Sequence, residues 1–152
     1  MSLQKMQCET RISCLYGNKI NMSVKLNIAA TEADVLAQLA EYFVATGKAA
    51  IAGNGRFSVS LSGGSSPKKL YELLATTYRD ALAWSKVDFF FGDERNVPQT
   101  DRDSNYLMAK KALFEPLDIP HSNIYAVDTS YSQEAAAKAY TTVIEEYFKG
   151  KH

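Results

Sequence analysis

Short apolar segments alternate with longer amphipathic segments along this chain. In residues 24–28, Val, Leu and Ile alternate with Lys and Asn, which is the two-residue period of a half-buried strand. The runs 57–61, 87–91 and 123–127 are equally short and carry aromatic or branched apolar residues. These four segments are predicted to form strands.

Each predicted strand is followed by a segment with helical periodicity and recognisable ends. Thr31 is suited to cap the first helix, and Pro67 is suited to the first position of the second. A third helix is predicted to start near Ser104, and a fourth to run from a Ser132 cap to a stop at Gly150. The apolar face predicted for the first helix comprises Leu36, Leu39, Ala40, Phe43 and Val44.

The repeated strand–helix order predicts a three-layer α/β/α fold, in which helices cover both faces of a mostly parallel sheet. The length of 152 residues suits one domain. Residues 22–152 carry the regular pattern and are predicted to be that domain. Residues 1–21 lack a clear period and are predicted to be an extension or a loosely ordered arm.

Charge and cysteine content exclude several functional classes. Seventeen basic and seventeen acidic residues cancel, and no basic stripe points to a nucleic-acid partner. No apolar run approaches the roughly 20 residues that a membrane span requires. Cys8 and Cys14 lack further metal ligands nearby and are interpreted as reduced thiols. The expected location is the cytoplasm.

The first candidate site lies in the loop after strand 57–61, which comprises Ser62, Gly63, Gly64, Ser65 and Ser66. Glycines let backbone amides approach an anion closely, and the following helix start adds unpaired amides with a partial positive charge. The loop is therefore predicted to bind an anion. The alternative interpretation is a flexible strand-to-helix turn without a ligand.

The second candidate site follows strand 87–91 and comprises Asp93, Glu94 and Arg95. Arginine can pair bidentately with a phosphate, and the carboxylates can accept hydrogen bonds from sugar hydroxyls. The alternative is a solvated charge cluster. Since parallel strands connected by right-handed crossovers end at the same sheet edge, both loops are predicted to line one crevice. Asp103 or Ser104 is expected to cap the next helix.

Three segments, read in order, resemble the glucosamine-6-phosphate isomerase/6-phosphogluconolactonase family. They are Leu61-Ser-Gly-Gly-Ser-Ser-Pro-Lys-Lys-Leu-Tyr71, Phe89-Phe-Phe-Gly-Asp-Glu-Arg-Asn-Val-Pro98 and Asp103-Ser-Asn-Tyr106. The resemblance implies a phosphosugar loop over residues 62–66 and a phosphate contact from Arg95. It places Asp93 near the sugar ring, where the deaminase relatives keep a catalytic aspartate, which makes Asp93 the candidate catalytic residue among these positions. Arg95 resembles the lactonase branch more than the deaminase branch.

The resemblance implies hydrolysis of 6-phosphogluconolactone in the oxidative pentose phosphate pathway, without a metal or cofactor. Lactonases of this family also carry a Gly-x-Gly-x-Asp-Gly-His segment with the expected base, which these 152 residues do not contain. The chain is therefore expected to be an N-terminal part with weak or no activity. Its sheet edge is expected to promote self-association. The alternatives are a glucosamine-6-phosphate isomerase/deaminase and a non-catalytic phosphosugar-binding module.

Overall fold

The computed structural model describes residues 7–11 and 23–150, with side chains from Leu26 onward. The chain divides into two units, 1–38 and 39–152. In the first unit, β1 (Gln7–Arg11) pairs antiparallel with β2 (Ser23–Asn27), so the predicted strand near residues 24–28 is confirmed. β1 falls in the range predicted to be an arm. The rest of that range, like the thiols of Cys8 and Cys14, lies outside the described residues and side chains.

Helix α1 (Glu32–Asn54) starts directly after the predicted Thr31 cap. The Asp34 amide donates to Thr31 Oγ1 at 3.1 Å, and after the last turn Gly55 adopts a φ of 80°. The predicted apolar face is wrong at Leu39, whose side chain is exposed. The buried residues of α1 are Ala40, Val44 and Gly47, which recur at four- and three-residue spacing.

The second unit is built on a parallel pair of strands, β3 (Phe57–Leu61) and β4 (Val87–Phe91), joined through helix α2 (Ser65–Thr76). Side chains of β4 alternate between two covered faces. Phe89 packs against Phe114 with ring centroids 5.1 Å apart, and Phe90 packs against Tyr147 at 4.9 Å. Helical segments therefore cover both faces of the sheet, which confirms the predicted three-layer α/β fold.

The predicted strand over residues 123–127 is reduced to a single parallel bridge between Phe89 and Ile124. The Tyr125 amide donates to the Phe89 carbonyl at 2.8 Å, but the next ladder bond is missing. Instead, the Tyr140 hydroxyl accepts from the Phe91 amide at 2.7 Å and donates to the Tyr125 carbonyl at 3.0 Å. The backbone pairing ends there because the Tyr140 hydroxyl lies between the Phe91 amide and the Tyr125 carbonyl and bonds to both.

The remaining helices differ from the predictions mainly at their ends. Helix α2 starts at Ser65, two residues before the predicted start at Pro67, because Gly64 breaks the backbone with a φ of 107°. Helix α3 (Asn105–Ala109) continues directly into a π-helix (Lys110–Phe114). Helix α4 (Gln133–Phe148) has the predicted Ser132 cap.

A buried polar cluster ties α4 to the sheet away from the candidate loops. Asp88 is 1% exposed and accepts hydrogen bonds at 2.5 Å from Arg56 Nε, Arg56 Nη2 and the Tyr147 hydroxyl. The Tyr147 hydroxyl also lies 2.8 Å from Ser58 Oγ. The hydrogen bond to Asp88 raises the pKa of the Arg56 guanidinium, while burial raises the pKa of Tyr147. Among the described residues, no helix is both long and apolar enough to cross a membrane.

Candidate functional site

The two candidate loops leave the sheet side by side. Leu61 and Phe91 are partners at the ends of β3 and β4, and the Gly92 amide continues the ladder by donating to the Leu61 carbonyl at 2.9 Å. The polar residues that follow each strand therefore start at the same sheet edge, as predicted. This edge is where open α/β sheets bind their ligands.

The first loop presents the N-terminus of α2 without a side-chain cap. Gly64 occupies the cap position with a φ of 107° and a ψ of 175°, a conformation that is essentially restricted to glycine. Pro67 contributes no amide to the first turn. The amides of Ser65 and Ser66 therefore stand at the positive end of the helix dipole, where an anion can accept their hydrogen bonds.

Tyr71, in the middle of α2, fixes the start of this loop. The Tyr71 hydroxyl accepts from the Ser62 amide and donates to the Ser62 carbonyl, both at 2.9 Å. Burial raises the pKa of Tyr71, so the hydroxyl keeps the proton that it donates. Ser62 is therefore anchored through its backbone by the helix that follows it.

Glu94 joins the second loop to the start of α3. Its carboxylate accepts hydrogen bonds from three backbone amides: those of Asn105 at 2.7 Å, Tyr106 at 2.8 Å and the adjacent residue Arg95 at 2.7 Å. Ser104 is the predicted N-cap, with its Oγ accepting from the Leu107 amide. A carboxylate on a helix N-terminus is favourable both as a hydrogen-bond acceptor and in the helix dipole. The predicted role of Glu94 in substrate binding stays a prediction.

Asn105 lies between the two loops. Its Nδ2 is 3.1 Å from the Asp93 carbonyl and 3.2 Å from Asp93 Oδ2, and its side chain also borders Gly63. The segment Asp103-Ser104-Asn105 was noted from the sequence only as a helix start. The contacts of the Asn105 side-chain amide were not predicted, because the local sequence does not indicate which way the first side chain of a helix points.

Gly64 and Arg95 line one cavity of about 620 Å³, which we call the α2–α3 cavity. Of the other predicted site residues, Ser65 also lines it, whereas Ser62, Gly63, Ser66, Asp93 and Glu94 do not. The remaining lining residues come from the start of α2, the loop after Arg95 and the start of α3: Lys68, Asn96, Val97, Arg102, Asp103, Ser104, Asn105 and Met108.

The charge of the α2–α3 cavity suits an anionic ligand. Lys68, Arg95 and Arg102 line it together with a single carboxylate, that of Asp103. Each cation has a weak ion pair: the nitrogen–oxygen distances are 3.7 Å for Lys68–Glu72, 3.8 Å for Arg95–Asp93 and 3.7 Å for Arg102–Asp103. Exposed pairs of this kind contribute little, so a phosphate can replace the carboxylates at small cost.

A larger cavity of about 810 Å³ shares Asn96 and Val97 with the α2–α3 cavity but contains none of the predicted site residues. It is lined in part by His121, which is exposed. Among the side chains that the structure describes, no cluster of three His, Cys, Asp or Glu residues is arranged to hold a metal ion.

Solved 6-phosphogluconolactonases share this architecture. The enzyme from Plasmodium vivax superimposes with a TM-score of 0.72 at 28% identity, covering 83% of this chain and 43% of its own. The Thermotoga maritima protein gives a TM-score of 0.69 at 29% identity, covering 75% of this chain and 51% of its own. The match therefore reaches over most of this chain but only about half of those structures.

Curated relatives give the same result at higher identity. Probable 6-phosphogluconolactonase 3, chloroplastic, from Oryza sativa subsp. indica is 42% identical over 108 residues, which are 71% of this chain and 33% of the relative. The 6-phosphogluconolactonase of Nostoc sp. is 44% identical over 100 residues, which are 65% of this chain and 40% of the relative. The aligned region thus spans between a third and two fifths of these proteins.

The family comparison covers the chain more fully. The model for glucosamine-6-phosphate isomerases/6-phosphogluconolactonase matches residues 30–152, that is, everything from just before α1 to the last residue. The resemblance inferred from the three sequence segments is confirmed. This chain belongs to the glucosamine-6-phosphate isomerase/6-phosphogluconolactonase family.

Proposed function

We propose that this chain carries the phosphosugar-binding part of a 6-phosphogluconolactonase. The observation that carries the proposal is that one cavity is lined both by the uncapped start of α2, at Gly64 and Ser65, and by Arg95. Backbone amides at a helix N-terminus and a guanidinium are complementary to a phosphate dianion. The relatives named 6-phosphogluconolactonase support the choice of ligand.

In the proposed reaction, water adds to the lactone carbonyl of 6-phosphogluconolactone and the ring C–O bond breaks. The ring oxygen takes up a proton, and the product is 6-phosphogluconate. We assign phosphate binding to residues 62–66 and Arg95, and a position near the sugar ring to Asp93. Neither a redox step nor a group carrier is needed, so no cofactor enters the proposal.

The expected base for the attacking water belongs to a Gly-x-Gly-x-Asp-Gly-His segment that these 152 residues do not contain. A positioned base typically contributes about 10²–10⁴-fold in rate. We therefore propose that the 152-residue chain binds the phosphosugar but hydrolyses the lactone weakly or not at all.

Its proposed pathway is the oxidative pentose phosphate pathway, and its proposed compartment is the cytoplasm. The rice relative is named chloroplastic.

The binding proposal is tested by titrating 6-phosphogluconate into the wild-type chain and into Arg95→Ala, with calorimetric detection. A hydrogen bond to a charged group contributes about 1.5–3 kcal/mol, so we expect the substitution to weaken binding roughly 10- to 150-fold. Arg79→Ala is the matched control, because Arg79 is a half-exposed arginine that pairs with Asp118 and does not line the cavity. Equal affinities for all three proteins would remove Arg95 from the site.

The family match also covers isomerases, which makes glucosamine-6-phosphate isomerase/deaminase the second candidate. Ammonia release from glucosamine 6-phosphate by the chain would favour that candidate. Lactone hydrolysis above the spontaneous rate would favour the first candidate and contradict the expectation of weak activity. Saturable binding of 6-phosphogluconate without either reaction is the expected result for the chain alone, and is also what a non-catalytic binding module would give.

A further inference from the structure

We propose that Asn105 is a positioning residue that holds Asp93 and the glycine loop in a fixed relation beside the α2–α3 cavity. This inference deepens the proposed function and rests on it, because the orientation of Asp93 matters only if a phosphosugar binds there. Asn105 is 5% exposed and lines the cavity at the start of α3.

The first contact of Asn105 sets the conformation of Asp93. One amide group, Nδ2, donates both to the Asp93 carbonyl at 3.1 Å and to Asp93 Oδ2 at 3.2 Å. The Asp93 side chain is about half exposed and would otherwise sample several rotamers. Because the backbone and the carboxylate of Asp93 are bound by the same buried group, its χ angles are restricted before a ligand arrives.

The second contact of Asn105 is with the other loop. A Cβ atom added at Gly63 would lie 2.1 Å from Asn105 Oδ1, 2.5 Å from Cγ and 2.6 Å from Nδ2, distances that no real Cβ tolerates. The φ of Gly63 is not in the left-handed region, so glycine is not required there by backbone conformation. It is required by space, because the Asn105 amide packs directly on the glycine backbone.

Asn105 is itself held firmly enough to transmit position. Its backbone amide donates to Glu94 Oε1 at 2.7 Å, and the preceding residue, Ser104, is a buried N-cap whose Oγ lies 3.3 Å from Glu94 Oε2. The start of α3 is therefore fixed to the second loop through Glu94. From that anchored position, the Asn105 side chain reaches the first loop at Gly63.

This arrangement separates two parts of a bound phosphosugar. The phosphate is assigned to the amides of α2 and Arg95, while Asp93 is assigned to the sugar. Loosening Asp93 should therefore weaken a ligand with sugar hydroxyls more than it weakens inorganic phosphate. A residue with a purely structural role would alter both affinities by the same factor.

The experiment compares the wild-type chain, Asn105→Ala, Gly63→Ala and the double variant, each titrated with 6-phosphogluconate and with inorganic phosphate. For Asn105→Ala we expect about tenfold weaker 6-phosphogluconate binding, the equivalent of one lost hydrogen bond, and less than about twofold change for phosphate. Asn105→Ser, which leaves a smaller cavity, provides the same comparison if the alanine variant does not fold.

The thermal unfolding of the same four proteins forms a double-mutant cycle that does not depend on any ligand. Gly63→Ala alone should lower the melting temperature, because its methyl group collides with Asn105. In the double variant the side-chain amide is gone, so the loss should be clearly smaller than the sum of the two single losses. Additive losses would overturn the packing between Asn105 and Gly63.

Asn123→Ala is the matched control. Asn123 is also 5% exposed and donates to two main-chain carbonyls, those of Ser85 and Val87, at the other end of β4. The Asn123→Ala variant should be less stable than the wild type, but its affinities for 6-phosphogluconate and for inorganic phosphate should keep the wild-type ratio. An unchanged ratio for Asn105→Ala would overturn the positioning role. If the wild-type chain fails to bind 6-phosphogluconate, the proposed function and the orienting role both fall, and the cycle still decides the loop packing.

Discussion

The buried carboxylate of Asp88 provides the sharpest test of what holds α4 to the sheet. In Asp88→Asn the side chain keeps its shape but loses its charge, and one oxygen becomes an NH₂ group. Three donors converge on the native carboxylate: Nε and Nη2 of Arg56 and the Tyr147 hydroxyl, all at 2.5 Å. The substituted carboxamide can accept through one oxygen only, so at least one donor would face another donor.

The expected loss of stability follows from these contacts. A hydrogen bond to a charged group contributes about 1.5–3 kcal/mol, and breaking a fully buried ion pair costs about 3–5 kcal/mol. The upper value is reduced here because the Arg56 side chain is 43% exposed and can turn to water. We expect Asp88→Asn to lower the free energy of unfolding by about 2–4 kcal/mol and the melting temperature by about 5–15 °C.

Urea denaturation followed by circular dichroism measures this loss, and Asp118→Asn is its control. Asp118 also pairs with an arginine, Arg79, but its side chain is 86% exposed and its φ of 52° is one that asparagine tolerates. The control should change stability by less than about 1 kcal/mol. If the two variants differ by less than about 0.5 kcal/mol, the reasoning from burial is refuted.

Three further predictions concern the first loop and the buried tyrosines. Gly64→Ala should lower the free energy of unfolding by about 1–3 kcal/mol in thermal denaturation, because a φ of 107° disfavours any residue with a side chain even where space is free. Gly53→Ala, at an open position in α1, should instead raise it by up to about 1 kcal/mol. Tyr71→Phe should weaken 6-phosphogluconate binding in calorimetry by freeing Ser62, while unchanged affinity would exclude this anchor. Burial raises the folded-state pKa of Tyr71 and Tyr147. Their contribution to stability is therefore complete below about pH 10, the pKa of an unfolded-state tyrosine, and is lost as the pH rises further. Denaturation measured at a series of pH values would detect this loss.

The central strands and the long helices were accessible from the sequence because their signals are local. β3 and β4 have the predicted bounds, and the Thr31 and Ser132 caps stand next to the helices that they start. The shared sheet edge was also predictable, since it follows from the handedness of parallel connections. These features need no knowledge of distant side chains.

Two of the features that the sequence did not reveal depend on distant partners. The predicted strand 123–127 fails because Tyr140, fifteen residues further on, places its hydroxyl between the backbones. The contact of Glu94 with the Asn105 amide, eleven positions further along the chain, was not predicted either, and the substrate-binding role of Glu94 stays a prediction. A carboxylate in a charged loop has no local pattern that distinguishes these roles.

The π-helix after α3 holds one residue more in its turn than ordinary α-helical winding would. In it, the Glu115 amide donates to the Lys110 carbonyl five residues back, at 2.9 Å. Deleting one residue there would shorten this five-residue turn to the four-residue bonding of an α-helix and leave Phe114 on the side of the helix that faces Phe89. Natural loss of a residue should therefore be tolerated in this segment more readily than in α4, where each deletion would turn the following side chains by roughly 100° about the helix axis.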